Sequence, residues 1–192
     1  MIIYLVRHGR DDDTVRGGWS QHPLTLEGIN QAEMLAERLA GNISISHIYS
    51  SDLCRAMQTA KIIANKIKLP ILPLPQFRET NNGDLAGIKN DIALVRYPGL
   101  FWNRLGWEQC YPNGESPRQF YERIVTAWSE FSQEIVSRNK DVVLVTHSGV
   151  IHVILSIIEG RTYNNTEKQR HIGYTEIIKL TYDNEKFQLI EE

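Results

Sequence analysis

Cysteine is scarce in this sequence of 192 residues, which contains only Cys54 and Cys110. The two are far apart along the chain and belong to no C-x-x-C pair. Neither a disulfide framework nor a cysteine-rich metal site is indicated, since both need paired or clustered cysteines. We therefore expect two buried thiols in a reducing compartment.

Long hydrophobic runs are also lacking. The N-terminus has no basic region followed by a long apolar core, because Arg7 interrupts the apolar run almost at once. The segment from Val142 to Ile158 is apolar, but polar residues including His147 and His152 lie in its middle and would be costly against lipid. We expect a cytoplasmic protein with no membrane partner.

No excess of one charge sign is present, since 21 Lys and Arg residues face 23 Asp and Glu residues, for a net charge of −2. A broad nucleic-acid surface normally needs an excess of Lys and Arg, so nucleic acid is not an expected partner. A local anion pocket is still compatible with this charge. The length suits a single domain, 1–192, with a substantial core.

Two predicted strands end in similar motifs. A short β-branched run at Ile2–Val6 predicts a buried strand that ends in Arg-His-Gly at residues 7–9. A second run, Val142–Thr146, ends in His-Ser-Gly at residues 147–149. Ligands bind at the carboxyl ends of strands in open α/β sheets. We therefore expect the two strands to bring two histidines to one edge of a sheet.

The remaining pattern alternates helices with short strands. In the first half of the chain it predicts a helix from the N-cap Thr25 to Gly41, a strand within Ile43–Tyr49, and a helix capped by Ser51 or Asp52 that ends near Lys66. An edge strand at 71–75 and a short helix at about 89–96 follow. The second half is predicted to contain a long helix at 116–138, a helix at about 150–159, and a hairpin from Tyr174 to Ile190.

Three regions of this pattern favour a site. Arg55 falls in the first turn of a helix, where free backbone N–H groups favour an anion; a surface arginine with a packed stem is the alternative. The loop from Arg10 to His22 is longer than most connections, which favours a binding role. The stretch at about 88–114 is rich in aromatic residues and suits a lid or insertion over a cleft, or equally a part of the core.

Several motifs resemble those of the histidine phosphatase superfamily, also called the phosphoglycerate mutase-like family, and they follow the family's order over almost the whole chain. They are Arg7-His8-Gly9, Pro23-Leu24-Thr25 with Gly28 and Gln31-Ala32, Ser51-Asp52-Leu53-Cys54-Arg55-Ala56 with Thr59-Ala60, Arg78-Glu79 with Gly83-Asp84 and Gly87, Gly114-Glu115-Ser116, and Thr146-His147-Ser148-Gly149. The resemblance implies an α/β fold, a three-layer α/β/α sandwich with a mainly parallel sheet.

The resemblance also implies roles for individual residues. His8 is expected to be the nucleophile that carries the phosphoryl group, and Glu79 the general acid and then the base. The side chains of Arg7, Arg55 and His147 are expected to bind the phosphoryl oxygens, whose spread negative charge suits guanidinium groups. The backbone amides of Ser148 and Gly149 are expected near the same pocket.

This sequence departs from the family at the loop after the first strand. Members often carry a glutamate and, four residues later, an asparagine; here these positions are Arg10 and Thr14. Thr14 or Arg16 is therefore the candidate for the phosphate contact of that asparagine. Trp19, Trp102 and Trp107 are candidates for lining a pocket around a ring-shaped or apolar leaving group.

The leading expectation is a metal-independent phosphatase acting on small phosphomonoesters. No metal or other cofactor is implied, because the cationic side chains supply positive charge; His147 and His152 alone make a weak metal pair. Phosphoglycerate mutase activity is the first alternative, although family mutases usually carry longer insertions over the site. A non-catalytic phospholigand-binding protein is the second, although it would need neither nucleophile nor acid. A homodimer is left open.

Overall fold

A computed structural model of the chain describes residues 1–41, 44–167 and 170–190. Within them, one sheet contains the strands β1 (Ile2–Arg7), β2 (Ile45–Ser50), β3 (Ile71–Pro73), β4 (Asp141–Thr146), β5 (Ile177–Asp183) and β6 (Lys186–Leu189). Their order is β3-β2-β4-β1-β5-β6. The first four strands are mutually parallel, and β5 is antiparallel to both β1 and β6. The predicted mainly parallel sheet is therefore confirmed.

Helices cover both faces of this sheet. They are α1 (Leu26–Ala40), α2 (Cys54–Ile67), α3 (Asn90–Arg96), α4 (Pro117–Arg138) and α5 (Ser148–Ile158). Because side chains alternate along a strand, β1 buries Ile3 and Leu5 in the core with α4 and α5, and it buries Tyr4 and Val6 in the core with α1 and α2. The predicted three-layer α/β/α sandwich is confirmed.

The pairing of β1 with β4 aligns the ends of the two central strands. Arg7 lies opposite Thr146 in the parallel register, and the backbone N–H of His8 donates to the carbonyl of Thr146 at 3.0 Å. His8 and His147 therefore leave the sheet side by side, as the two strand-end motifs predict.

The helix starts match the sequence patterns only in part. Thr25 caps α1, as expected, and its hydroxyl accepts from the N–H of Gly28 at 3.1 Å. The predicted cap of α2 is wrong, because Leu53 occupies the N-cap position and no side chain caps the helix. Asp52 instead binds Arg78, with a 2.6 Å contact to its Nε. Helix α5 begins at Ser148, two residues earlier than predicted.

The expectation for the cysteines is also wrong, because Cys54 is half-buried and Cys110 is exposed. Both thiols are free. The strand predicted within Ile43–Tyr49 is β2, which runs from Ile45 to Ser50; residue 43 lies outside the described residues. Hairpin strand β5 begins at Ile177 rather than Tyr174.

None of the helices in the described part of the chain is both long and apolar enough to cross a membrane.

Gly28 marks the point at which the first turn of α1 lies against the loop that follows His8. A Cβ at Gly28 would stand 2.1 Å from the carbonyl oxygen of Arg10, so a larger residue must displace backbone. Gly41, at the other end of α1, has a φ of −78°. In the described residues, no heavy atom comes within 4 Å of a Cβ at Gly41.

We predict that Gly28→Ala lowers the free energy of unfolding by about 1–3 kcal/mol, because overpacking forces a backbone shift. Gly41→Ala is the matched control and should be neutral or stabilising by up to about 1 kcal/mol. Urea unfolding measures both variants. Equal stabilities for the two would contradict the close approach at Gly28.

Candidate active site

His8 lies immediately beyond β1 and is only 5% exposed. Its Nδ1 is 2.7 Å from the carbonyl oxygen of Gly9. A carbonyl oxygen can only accept, so Nδ1 carries the hydrogen and Nε2 keeps a lone pair. Burial, followed by the charge of Arg55, lowers the pKa of His8 well below its usual range, which the hydrogen bond to Gly9 partly opposes. The imidazole is therefore neutral near pH 7 and presents Nε2 as a base or nucleophile.

Arg55 extends from the first turn of α2 to this nitrogen. Its Nε donates to Nε2 of His8 at 3.2 Å, and its side chain is 2% exposed. Its terminal nitrogens donate to the carbonyl oxygens of Gly18 at 2.8 Å and Ser20 at 3.2 Å. The alternative of a surface arginine is excluded, because the guanidinium is buried against the imidazole of His8.

Thr59 fixes the strand end to α2, one turn beyond Arg55. Its hydroxyl donates to the carbonyl of Arg55 at 2.8 Å and accepts from the N–H of Gly9 at 3.0 Å. The Thr59 hydroxyl thus joins the backbone that follows β1 to the backbone of α2. Because β1 carries His8 to this point and α2 carries Arg55, this link sets the spacing between the two side chains.

Arg7, at the last position of β1, adds a second guanidinium. Its Nη1 donates to the carbonyl of Ile172 at 2.6 Å, and its guanidinium carbon lies 3.8 Å from the ring centroid of Tyr174. Such a cation–π contact orients a guanidinium and lowers its conformational freedom. The Nε of Arg7 is buried and has no hydrogen-bond partner within the residues that the structure describes.

His147 follows β4 and is fully buried, with its ring centroid 5.0 Å from that of His8. Its Nε2 is 2.9 Å from the hydroxyl of Ser51. Its Nδ1 is buried and unpartnered in the described ranges. Burial, then the charge of Arg55, lowers the pKa of His147 well below its usual range. The second histidine is therefore also neutral near pH 7.

Glu79 lies at the N-terminus of α5. One carboxylate oxygen accepts from the N–H of Gly149 at 3.1 Å, and the other accepts from the N–H of Thr80 at 3.1 Å. A Cβ at Gly149 would stand 2.3 Å from Oε1 of Glu79, so only glycine permits this approach. The Glu79 carboxylate therefore binds the backbone N–H that comes one residue after Ser148 and two residues after His147 in the sequence.

Arg123 of α4 holds the chain segment that carries Glu79. Its Nη1 donates to the carbonyls of Gln76 at 2.8 Å and Arg78 at 3.0 Å. Its Nη2 donates to the carbonyl of Glu79 at 3.1 Å and to the carboxylate of Glu115 at 2.7 Å. This side chain therefore positions the Glu79 backbone without being part of the histidine cluster.

A cleft of about 530 Å³ adjoins the cluster on the side of Glu79. Its walls contain Glu79, the α5 residues Ser148, Gly149 and His152, and the residues Arg16, Gly17, Gly18, Thr80, Asn82, Trp102, Asn103, Tyr111, Asn165 and Glu167 from the segments between the main helices and strands. Since Gly18 also accepts from Arg55, the cleft and the buried cluster share a wall.

The segment at about 88–114 contributes to this cleft. Trp102, Asn103 and Tyr111 line it, while Leu105 is 1% exposed and packs in a small cluster with Leu85. Asn165 donates to the carbonyls of Trp102 and Leu105 at 2.7 and 3.0 Å. The segment thus forms a wall of the cleft and is anchored by packing; movement as a lid stays a prediction.

The structure brings most of the predicted site residues together. His8, Arg7, Arg55 and His147 form the buried cluster, and Glu79, Ser148 and Arg16 line the adjoining cleft. Thr14 is not brought there: it is exposed and its hydroxyl donates to Asp12 at 2.7 Å. Of the three candidate tryptophans only Trp102 lines the cleft. Trp19 instead donates to the carbonyl of Glu79, and Trp107 packs near Tyr121 and Tyr163.

Several contributors were missed in the sequence. Tyr174 lies under Arg7, Ser51 contacts His147, and the buried carboxylate of Asp11 lies 3.4 Å from Nε of Arg55. Asp11 and Tyr174 are in loops, where no periodicity marks the inward side. An aspartate two residues after a strand-end motif was the one signal available for Asp11.

We predict that the free energy of unfolding decreases as the pH falls below about 6.5, the ordinary pKa of histidine. The folded state lowers the pKa of His8 and His147, so the unfolded chain binds more protons in this range. The contribution of the two histidines to the free energy of unfolding is fully present above that pH. It decreases below that pH by up to about 1.4 kcal/mol per pH unit for each histidine. Urea unfolding at several pH values measures the slope.

Two variants test the assignment of this slope. His147→Gln removes one of the two titrations and should reduce the slope relative to wild type, whereas His171→Gln, at an exposed position, should keep it. The raised pKa of buried Asp11 makes the free energy of unfolding change with pH in the opposite direction. The test therefore compares the slope of each variant with the slope of wild type. An unchanged slope in His147→Gln would contradict a neutral buried His147.

Comparisons with known proteins agree with this arrangement. The chain is 48% identical over 165 residues to the protein named "Probable phosphoglycerate mutase GpmB" of Yersinia pestis, covering 82% of this chain and 74% of that one. It is 31% identical over 161 residues to "Uncharacterized phosphatase PhoE" of Bacillus subtilis, covering 82% and 77%.

The fold is shared with solved structures. The α-ribazole phosphatase of Shigella flexneri superimposes with a TM-score of 0.84 at 23% identity, covering 99% of this chain and 95% of that one. The family profile of the histidine phosphatase superfamily (branch 1) matches residues 3–191. With the paired histidines, the two arginines and the carboxylate in place, the chain belongs to the histidine phosphatase superfamily.

Proposed function

We propose that this protein is a metal-independent phosphatase that hydrolyses small phosphomonoesters through a phosphohistidine intermediate on His8. The observation that carries the proposal is the 2.7 Å contact of His8 Nδ1 with the Gly9 carbonyl, opposite the 3.2 Å contact of Nε2 with Arg55. A neutral imidazole whose Nε2 carries no proton can attack a phosphorus atom once the guanidinium beside it turns its N–H groups to the phosphoryl oxygens.

The transferring group is bound by the cluster around that nitrogen. Arg7, Arg55 and His147 surround His8, and both Nε of Arg7 and Nδ1 of His147 keep hydrogen-bonding capacity within the described residues. A pair of unit charges 4 Å apart contributes about 4 kcal/mol at an effective dielectric constant of 20. Two fixed guanidiniums therefore stabilise charge on the phosphoryl oxygens without reorganising during the reaction. Ser148 lines the adjoining cleft.

Glu79 supplies the proton transfers. In the first step the lone pair of His8 Nε2 forms the N–P bond, the P–O bond to the leaving group breaks, and the Glu79 carboxyl group gives its proton to the leaving oxygen. In the second step the Glu79 carboxylate removes a proton from water, the water oxygen bonds to phosphorus, and the N–P electron pair returns to Nε2. The location of Glu79 in the cleft wall supports both roles, because leaving group and water enter there.

The cleft supports a small organic leaving group as the rest of the substrate. Its volume of about 530 Å³ falls within the range of small-molecule pockets. Trp102 and Tyr111 offer aromatic surface, and Arg16 offers a cation, with its guanidinium carbon 4.5 Å from the ring centroid of Phe101. A ring-shaped or apolar group bearing the phosphate fits this lining.

Phosphoglycerate mutase activity is the second candidate. Arg16 in the cleft wall favours it, because a guanidinium can bind the carboxylate of a phosphoglycerate, and the 48% identity to a protein named as a mutase agrees. A mutase would keep the phosphohistidine and return the group to substrate. Isomerisation of phosphoglycerate without net release of phosphate would replace the phosphatase proposal by this one.

We predict that His8→Ala lowers phosphate release from an aryl phosphate by at least about 10³-fold, because the covalent route is lost. The assay contains a chelator, since the proposed catalysis uses only side chains. His171→Ala, at an exposed position, is the matched control and should match wild type. Turnover that survives in His8→Ala would contradict the mechanism, and a folded wild type that binds phosphate without turnover would favour a binding protein.

We predict that the effect of Glu79→Gln depends on the leaving group. An alkyl phosphate needs protonation of its leaving oxygen, so its kcat should fall by about 10²–10³-fold, whereas a nitrophenyl phosphate should form phosphoenzyme at a much smaller cost. The surface variant Glu130→Gln is the control. Equal losses in the rate of phosphoenzyme formation from the two substrates, measured in a single turnover, would show that Glu79 does not protonate the leaving group.

A further inference from the structure

Asp11 places a carboxylate inside the cluster of positive groups. It is 8% exposed, and its Oδ2 lies 3.4 Å from Nε of Arg55. The same Nε lies 3.2 Å from Nε2 of His8. One N–H therefore faces both the nucleophilic nitrogen and an aspartate oxygen.

This arrangement conflicts with a bound phosphoryl group. For attack, the phosphorus must come within about 3–3.5 Å of His8 Nε2, which brings a phosphoryl oxygen to the Arg55 guanidinium. That oxygen then lies close to the Asp11 carboxylate. Two negatively charged oxygens in a buried space repel strongly, whereas a carboxylic acid beside a phosphoryl oxygen donates a short, charge-assisted hydrogen bond.

We propose that Asp11 binds a proton when a phosphoryl group occupies the site and donates it in a hydrogen bond to a phosphoryl oxygen, so that substrate binding is coupled to the uptake of one proton. In the empty site, ionised Asp11 serves instead as the counter-ion of Arg55. The inference rests on the proposed function, because it uses the phosphoryl position next to His8.

The charged groups around Asp11 are consistent with proton uptake by Asp11 when a phosphoryl group binds. Arg55 faces it from α2, Arg7 from β1, and His22 from the loop before α1, and all three favour the ionised form. Burial is the larger effect and raises the pKa of Asp11. The nearby cations thus oppose the effect of burial, and a phosphoryl dianion that takes over those cations shifts the balance to the protonated form.

Sulfate is a suitable probe, since it is a tetrahedral dianion whose charge is constant over the pH range used. Calorimetry of sulfate binding to the whole chain between about pH 5 and 8 gives the affinity, and repetition in buffers of different ionisation enthalpy gives the protons taken up. The variants are Asp11→Asn, which keeps the hydrogen-bond donor of the protonated acid, and Asp11→Ser as an alternative uncharged residue. Asp13→Asn is the matched control, since that side chain is 57% exposed.

In wild type we expect the sulfate affinity to fall as the pH rises, by up to tenfold per pH unit between the pKa values of Asp11 in the empty and the occupied site. Asp11→Asn should bind sulfate about tenfold or more tightly than wild type near pH 8 and equally near pH 5, and it should take up about one proton fewer. Asp13→Asn should follow wild type.

Three results would overturn the inference. The first is a pH dependence of sulfate affinity in Asp11→Asn and Asp11→Ser that parallels wild type. The second is weaker sulfate binding by these variants than by wild type at every pH. The third is the absence of sulfate binding in wild type and in all variants, although each of them unfolds cooperatively on heating. Sulfate binding needs no turnover, so it separates this inference from the proposed function. A chain without phosphatase activity but with Asp11-dependent binding would refute only the proposed function.

Discussion

The buried guanidinium of Arg55 joins the parts of the site that come from separate elements. It contacts Nε2 of His8, the carboxylate of Asp11 and the loop carbonyls of Gly18 and Ser20. A buried charge is tolerated only where such partners compensate it. Burial lowers the pKa of His8, and the charge of Arg55 lowers it further, because a neighbouring positive charge disfavours the imidazolium. One side chain thus links the geometry of the site to the protonation state of its histidine.

The sheet supplies the frame for this interaction. The parallel pairing of β1 with β4 places His8 and His147 next to each other, and their rings lie 5.0 Å apart. Glu79 reaches the same edge from the loop beyond β3, where the N–H of Gly149 in the first turn of α5 binds its carboxylate. His8, His147 and the Glu79 carboxylate therefore meet at the carboxyl ends of the parallel strands, where α/β sheets bind ligands.

Sequence patterns anticipated the parts of this frame that repeat regularly. The apolar runs of β1 and β4, each followed by a histidine, were sufficient to place both rings at one edge, and the cap at Thr25 located α1. The caps of α2 were not predictable in this way, because Asp52 binds Arg78 and Ser51 contacts His147, both distant in sequence. The same holds for Asp11 and Tyr174, whose inward direction is set by tertiary packing rather than by a local period.

The central claim is that Nε2 of His8 carries the phosphoryl group, because Nδ1 is held by the Gly9 carbonyl. The most direct measurement is to stop turnover of an aryl phosphate under alkaline conditions, which preserve phosphohistidine, and to locate the phosphoryl group by phosphorus NMR and peptide mass spectrometry. The account predicts one phosphoryl group, on Nε2 of His8. A phosphoryl group on Nδ1, on another residue, or on none during steady turnover would contradict it.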